Sequence, residues 1–189
     1  MRHKYETQGI VLARTHVGEA NTFLTLLTPD LGLVQARAQS LRKSGAKLAA
    51  ALTTLAESSM VLVRGKEGWR VTGAVLEENW FMRLEHTQVR ARAVRVSGLV
   101  LRLVAGEAQD SELFPIIKGF LTALTELPED THEAIEVLAV LRTLATLGLD
   151  NGAISDDVSA YTTPLLTEIL KNRPSYIARI NTGIVASGL

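Results

Sequence analysis

The first third of the chain sets short apolar runs between turn-forming clusters. Ile10 to Leu12, Phe23 to Leu27 and Leu33 to Ala38 are separated by Gly18-Glu19 and by Thr28 to Gly32. Short runs of β-formers bounded by Gly, Pro, Asp and Asn predict the strands of a small antiparallel sheet. The first strand is expected from about Tyr5 to Arg14, with Gly9 marking either a bulge or an unremarkable edge position. Two further strands, Ser58 to Arg64 and Trp69 to Leu76, flank the hairpin loop Gly65-Lys66-Glu67-Gly68. Leu48 to Leu52 has no turn residue and reads as a short helix. A helix between the third and fourth of five strands is the layout of an OB-fold, a Greek-key barrel. An SH3-like barrel is the competing layout.

At Asn79 the period of the pattern changes. Trp80 and Phe81 are expected to pack the barrel against helices. Met82 to Val104 reads as one long amphipathic helix, with Val89, Ala93, Val96, Val100 and Leu103 on one stripe and Arg92, Arg95 and Arg102 on another. Ser111-Glu112 opens the next helix, with Pro115 tolerated in its first turn, and Leu127-Pro128 stops it. Asp130 with Glu133 reads as a capping box for a helix that is apolar nearly all round and ends at Gly148. Leu149 to Ala160 is a connector, and two last helices are expected over about 163–172 and 175–186. The fold class is therefore α+β: a five-stranded barrel over residues 1–78 and an all-helical domain over 79–189.

Formal net charge is zero, but the charge is unevenly spread. Through Ala105 there are 15 Lys and Arg against 8 Asp and Glu; after it there are 5 against 12, which completes the 20 of each in the chain. A basic half of this kind suggests a nucleic-acid face. There is no cysteine, and the four histidines lack metal-ligand spacing, so neither a disulfide nor a structural zinc is expected, and no cofactor. No signal peptide is visible and no apolar run approaches the roughly 18 residues that span a bilayer, which makes a cytoplasmic location the expectation.

The candidate binding residues follow from strand three. Val34, Ala36 and Ala38 alternate with Gln35, Arg37 and Gln39, giving one small apolar face and one polar, cationic face. The loop that follows adds Arg42, Lys43 and Lys47 with no acidic residue. Such cations neutralise phosphates and supply most sequence-independent affinity; the alternative is a solvated loop. Arg64 and Arg70, beside Lys66, extend the path. Trp69 either stacks on a base or anchors the core. Arg92 and Arg95 either continue the track or lie on a solvated face. Thr22, Thr25 and Thr28 suit an outer face whose hydroxyls reach a phosphate. No phosphate loop, dinucleotide glycine signature, nucleophile elbow or Cys-His pair is present, so an enzyme is not expected. A DNA-binding protein is the first reading; the alternative is an adaptor whose barrel binds a protein partner.

Gly9 to Leu12, Gly18-Glu19, Leu26 to Thr28 with Gly32, Ala36 to Ser44, Leu62 to Gly65 and Trp69 to Ala74 stand in an order and spacing that resembles the RecO family of bacterial recombination mediators. Ala38-Gln39-Ser40 departs from that family's Ala-Lys-Gly, removing one cation and one hinge. The resemblance implies an OB-fold followed by a helical domain, and binding and annealing of single- and double-stranded DNA in repair and recombination. It also implies RecR, RecF and the acidic C-terminal tail of single-stranded-DNA-binding protein as partners, with Lys171 and Arg173 as candidates for that tail. Many relatives carry a four-cysteine zinc module where this chain has Leu149 to Ala160. The resemblance therefore marks this chain as a short form without it.

Overall fold

In a computed structural model, the structure describes residues 3–17, 21–39, 47–104, 112–152, 154 and 157–189, without the side chain of Lys47. The described residues fall into two compact units, Met1–Arg83 with Ala105–Phe114, and Leu84–Val104 with Pro115–Leu189. Gly18-Glu19, Ser40 to Ala46 and Ser111 lie outside the described residues.

The first unit is a closed barrel of β1 (Lys4–Val17), β2 (Asn21–Thr28), β3 (Gly32–Gln39), β4 (Ala56–Gly65) and β5 (Gly68–Asn79), in the order β1-β2-β3-β5-β4. With helix α1 (Lys47–Ala51) between β3 and β4, this is the OB arrangement. Alternation decides what faces inward. Val34, Ala36 and Ala38 on β3 and Leu24 and Leu26 on β2 enter one core with Val11, Leu52, Met60, Leu62, Trp69 and Val71. The same parity turns Thr22 inward and Phe23 outward, and Thr28 is also buried. Of the three threonines expected outside, Thr25 alone is outward, because a period of two cannot place residues three apart on one face.

The bend in β1 is not at Gly9. The register with β2 slips between Val11 and Ala13, so the bulge is at Leu12. Gly9 instead allows close approach: a Cβ there would stand 3.3 Å from the Met60 thioether.

The helices are α2 (Trp80–Arg83), α3 (Thr87–Leu103), α4 (Leu113–Glu126), α5 (His132–Thr146), α6 (Thr163–Lys171) and α7 (Arg173–Ala186). The single helix expected from Met82 is broken at Leu84 to His86. Asn79 Oδ1 accepts the Met82 amide at 3.1 Å and starts α2, then Leu84 is buried and His86 is extended. Trp80 is buried and donates its indole N–H to Glu57 of β4 at 3.1 Å, whereas Phe81 is exposed. The capping box does not form. A 3-10 turn over Glu129–Thr131 precedes α5, whose N-cap Thr131 makes no side-chain cap bond and donates its hydroxyl to Pro128 O instead. Helix α5 is the centre of the second unit, packing against α3, α6 and α7.

Candidate nucleic-acid interface

The β4–β5 hairpin and the outer face of β3 form a cleft of about 680 Å³. Arg37, Arg64, Lys66 and Arg70 line it, with Glu67 as the one carboxylate of the lining. Strand register explains the grouping. Arg37 and Arg70 are partners across the parallel contact of β3 with β5, and both point outward because their neighbours Ala36 and Trp69 point in. Arg64 pairs with Trp69 across the hairpin, and its guanidinium lies 5.1 Å from the indole centroid. Arg37 reaches Glu67 at 3.5 Å; its side chain is 31% exposed and that of Glu67 83%. A pair so open to solvent leaves Arg37 available to a competing anion.

Trp69 is core. It is buried among the barrel residues and meets Tyr5 edge-on, with centroids 5.0 Å apart and planes at 75°. Among the described residues, two aromatics are exposed on the barrel strands: Tyr5, in that edge contact with Trp69, and Phe23, across β2–β3 from Arg37. In the sequence Phe23 stands only as one residue of the apolar run Phe23 to Leu27. Parity counted outward from Val34, Ala36 and Ala38 would have found it.

Of the residues expected to bind DNA, the cleft gathers Arg37, Arg64 and Arg70, and adds Lys66. Arg42 and Lys43 lie outside the described residues, as does the side chain of Lys47. Arg92 and Arg95 belong to the second unit, where both converge on Glu136 of α5. Arg92 Nη1 donates to one carboxylate oxygen, and Arg95 donates through Nε at 2.7 Å and Nη2 at 2.9 Å. These hydrogen bonds hold the Arg95 pKa above its ordinary value. Two cations on one carboxylate leave a net charge of one.

The same residues edge a groove of about 720 Å³ between α3, α5 and α7, floored by Val94, Val137, Val140, Ile177, Ile180 and Ile184. Arg173 is held at 2.5 Å by Glu133, at the rim of that groove; Lys171 is exposed and not part of it.

The connector before α6 does not suit zinc. The chain has no cysteine, and no three His, Asp or Glu cluster among the described residues. A buried cation stands there instead. Arg142 of α5 donates through Nη2 to Asp157 O at 2.7 Å and Ala160 O at 2.8 Å, and lies 4.9 Å from the Tyr161 ring centroid. A positive charge in this position repels a divalent metal. No helix among the described residues is long and apolar enough to cross a membrane.

Residues 1–79 match the family model described as Recombination protein O N terminal. The chain is 34% identical over 130 residues to the DNA repair protein RecO of Dehalococcoides mccartyi, covering 69% of this chain and 50% of that one. It is 34% identical over 145 residues to the DNA repair protein RecO of Heliobacterium modesticaldum, covering 76% and 51%. A third similar chain, the DNA repair protein RecO of a Roseiflexus strain, is 32% identical over 121 residues, covering 64% and 42%. The chain thus spans about half the length of the curated relatives it matches.

Proposed function

The chain belongs to the RecO family, and on that premise we propose that it is a non-enzymatic, DNA-binding mediator of repair and recombination. It binds single- and double-stranded DNA and promotes annealing or recombinase loading. The observation that carries this reading is the barrel cleft, where four cations face one solvent-exposed carboxylate. The β2–β3 face and the β4–β5 loop are also where OB-folds take oligonucleotides. Binding there is chiefly electrostatic. Arg42, Lys43 and Lys47 follow β3 in the chain and extend the phosphate path; Arg92 and Arg95, on the second unit, are a separate candidate contact that carries the one charge Glu136 leaves them. The barrel over 1–78 is the DNA-binding domain, and the helices over 79–189 carry partner contacts.

RecR, RecF and the tail of single-stranded-DNA-binding protein are the proposed partners. The tail is better matched to the α3–α5–α7 groove than to Lys171 and Arg173. An acidic, apolar peptide needs cations beside an apolar floor, and Arg92, Arg95 and Arg102 line that groove.

The test of the DNA reading is affinity for a labelled single strand across a salt series. Each phosphate contact contributes roughly 0.7 to the slope of log affinity against log salt. Changing Lys66 and Arg70 together to Ala should flatten the slope by roughly 1.4, while changing Lys171 and Arg173 should leave affinity as it was. Equal binding by the cleft double variant and the parent at every salt concentration would refute the proposal.

A further inference from the structure

Phe23 is 44% exposed on the outer face of β2, and its position is what distinguishes it. Single exposed apolar residues are ordinary on protein surfaces. This one lies in a row that register defines across four strands: Thr15 on β1, Phe23 on β2, Arg37 on β3 and Arg70 on β5. Neighbouring strands are about 4.8 Å apart, so the ring is one strand-width from Arg37 and two from Arg70. Val17, one diagonal step away on the outer face of β1, is 49% exposed. The remaining outward positions nearby are Ala13, Thr15, Asn21, Thr25, Gln35 and Gln39. An aromatic face beside two guanidinium groups, on a polar wall, matches a nucleotide whose base is free to leave a stack and whose phosphate meets the cations.

We propose that Phe23 is a base-stacking residue, which makes the β2–β3 face selective for single-stranded over duplex DNA. The inference rests on the barrel cleft being the DNA path. Phosphate contacts do not separate the two forms of DNA, since both carry the same anion. Stacking does, because in a duplex each base face is already covered by its neighbours. Trp69 is buried and cannot serve; Tyr5, 39% exposed, has its ring in edge contact with Trp69 and pairs with β4, outside the row of Phe23, Arg37 and Arg70, so the discrimination falls to Phe23.

The experiment compares the parent with Phe23→Ala, Phe23→Leu and Phe23→Trp, each titrated with labelled oligothymidine and with a hairpin duplex at one salt concentration. Base–aromatic stacking measured by alanine substitution corresponds to a roughly 5- to 150-fold affinity change. A single half-exposed ring belongs at the lower end, so Phe23→Ala should lose roughly 5- to 10-fold on the single strand and keep its duplex affinity. Phe23→Leu, apolar but without a ring, should behave like Phe23→Ala. Phe23→Trp should bind as the parent does, with indole fluorescence quenched by the single strand and not by the duplex. If Phe23→Ala fails to fold, Phe23→Leu and a 2-aminopurine strand read the same contrast.

Equal losses on both forms, no loss on the single strand, or full binding by Phe23→Leu would overturn the stacking inference. Where the Lys66 and Arg70 variant still weakens binding in those cases, the cleft reading survives without it. A parent that binds neither form at low salt overturns both.

Discussion

Removing Glu67 should make this protein bind DNA more tightly. Glu67→Gln keeps the size of the side chain and deletes the one carboxylate of the cleft lining. The effect on folding is small, because its pair with Arg37 spans 3.5 Å in the open and such exposed pairs contribute roughly 0–1 kcal/mol. The effect on binding follows from Coulomb's law. A phosphate held by Arg37 would lie about 7 Å from the Glu67 carboxylate, and two unit charges at that distance in water repel by roughly 0.6 kcal/mol. Relief of that repulsion raises affinity roughly threefold at low salt. With a Debye length of about 10 Å at 0.1 M, the gain falls below roughly twofold. Glu67→Lys doubles the change in charge and should reach roughly eightfold at low salt. Anisotropy of a labelled single strand over a salt series reads both effects, with thermal melts as the folding control. Tighter binding cannot arise from damage to the fold, which makes this a cleaner test than a loss. If Glu67→Lys binds no better than the parent at the lowest salt, or gains equally at all salts, the cleft is not the electrostatic path.

Trp69→Ala should cost about 3–5 kcal/mol of stability in urea melts, since the ring fills the barrel core; a parent-like midpoint would put the indole outside. Gly119→Ala gains about 1 kcal/mol of helix propensity, but the new Cβ would lie 2.9 Å from Ser159 O and 3.1 Å from Ser159 Cα. Displacing that backbone outweighs the gain, and a net loss of roughly 1–2 kcal/mol is expected. Burial raises the Tyr161 phenol pKa above its ordinary 10, with the Arg142 guanidinium opposing, and the hydroxyl has no partner among the described residues. The folded form therefore holds its proton longer than the unfolded chain, and stability is lost as pH rises from about 10 toward the higher folded value. Tyr161→Phe should melt like the parent at neutral pH and lose less between neutral pH and about 10.5. A chelator should leave the melting curve of the parent unmoved; a fall in midpoint reversed by zinc would contradict the account of the connector.

The barrel was legible in the sequence because its apolar runs are rich in β-formers and are separated by clusters of Gly, Pro and Asp. The β3 pattern of Val34, Ala36 and Ala38 against Gln35, Arg37 and Gln39 placed every one of those side chains correctly. Strand β2 was harder. Its run of Phe23, Leu24, Leu26 and Leu27 hides the alternation, and only the pairing with β3 shows that Phe23 and Thr25 face outward while Thr22 faces in. The bulge at Leu12 carries no glycine to announce it. The break at Leu84 to His86 carries no proline or glycine either; burial of Leu84 decides it, and burial is a tertiary fact. Grouping Arg37 with Arg70 required the β3–β5 register, since 33 positions separate them in the chain. The pairing of Arg92 and Arg95 with Glu136 was equally out of reach, because it depends on how α3 and α5 face one another.

The contact of β3 with β5 is the narrowest joint of the barrel. Its register holds two residue pairs, Ala36 with Trp69 and Arg37 with Arg70, and the second puts two arginines at facing backbone positions. Two unit charges held one strand spacing apart would repel by roughly 0.8 kcal/mol in water. The joint that closes the sheet therefore carries like charge on both strands, with Glu67 offsetting part of it from one side. An anion lodged between the two guanidiniums would turn that repulsion into a bridge. Occupancy of the cleft and closure of the barrel then become linked equilibria: backbone amides along the β3–β5 joint would exchange with solvent more slowly in the bound protein, and the unoccupied protein would open there first as the salt concentration falls.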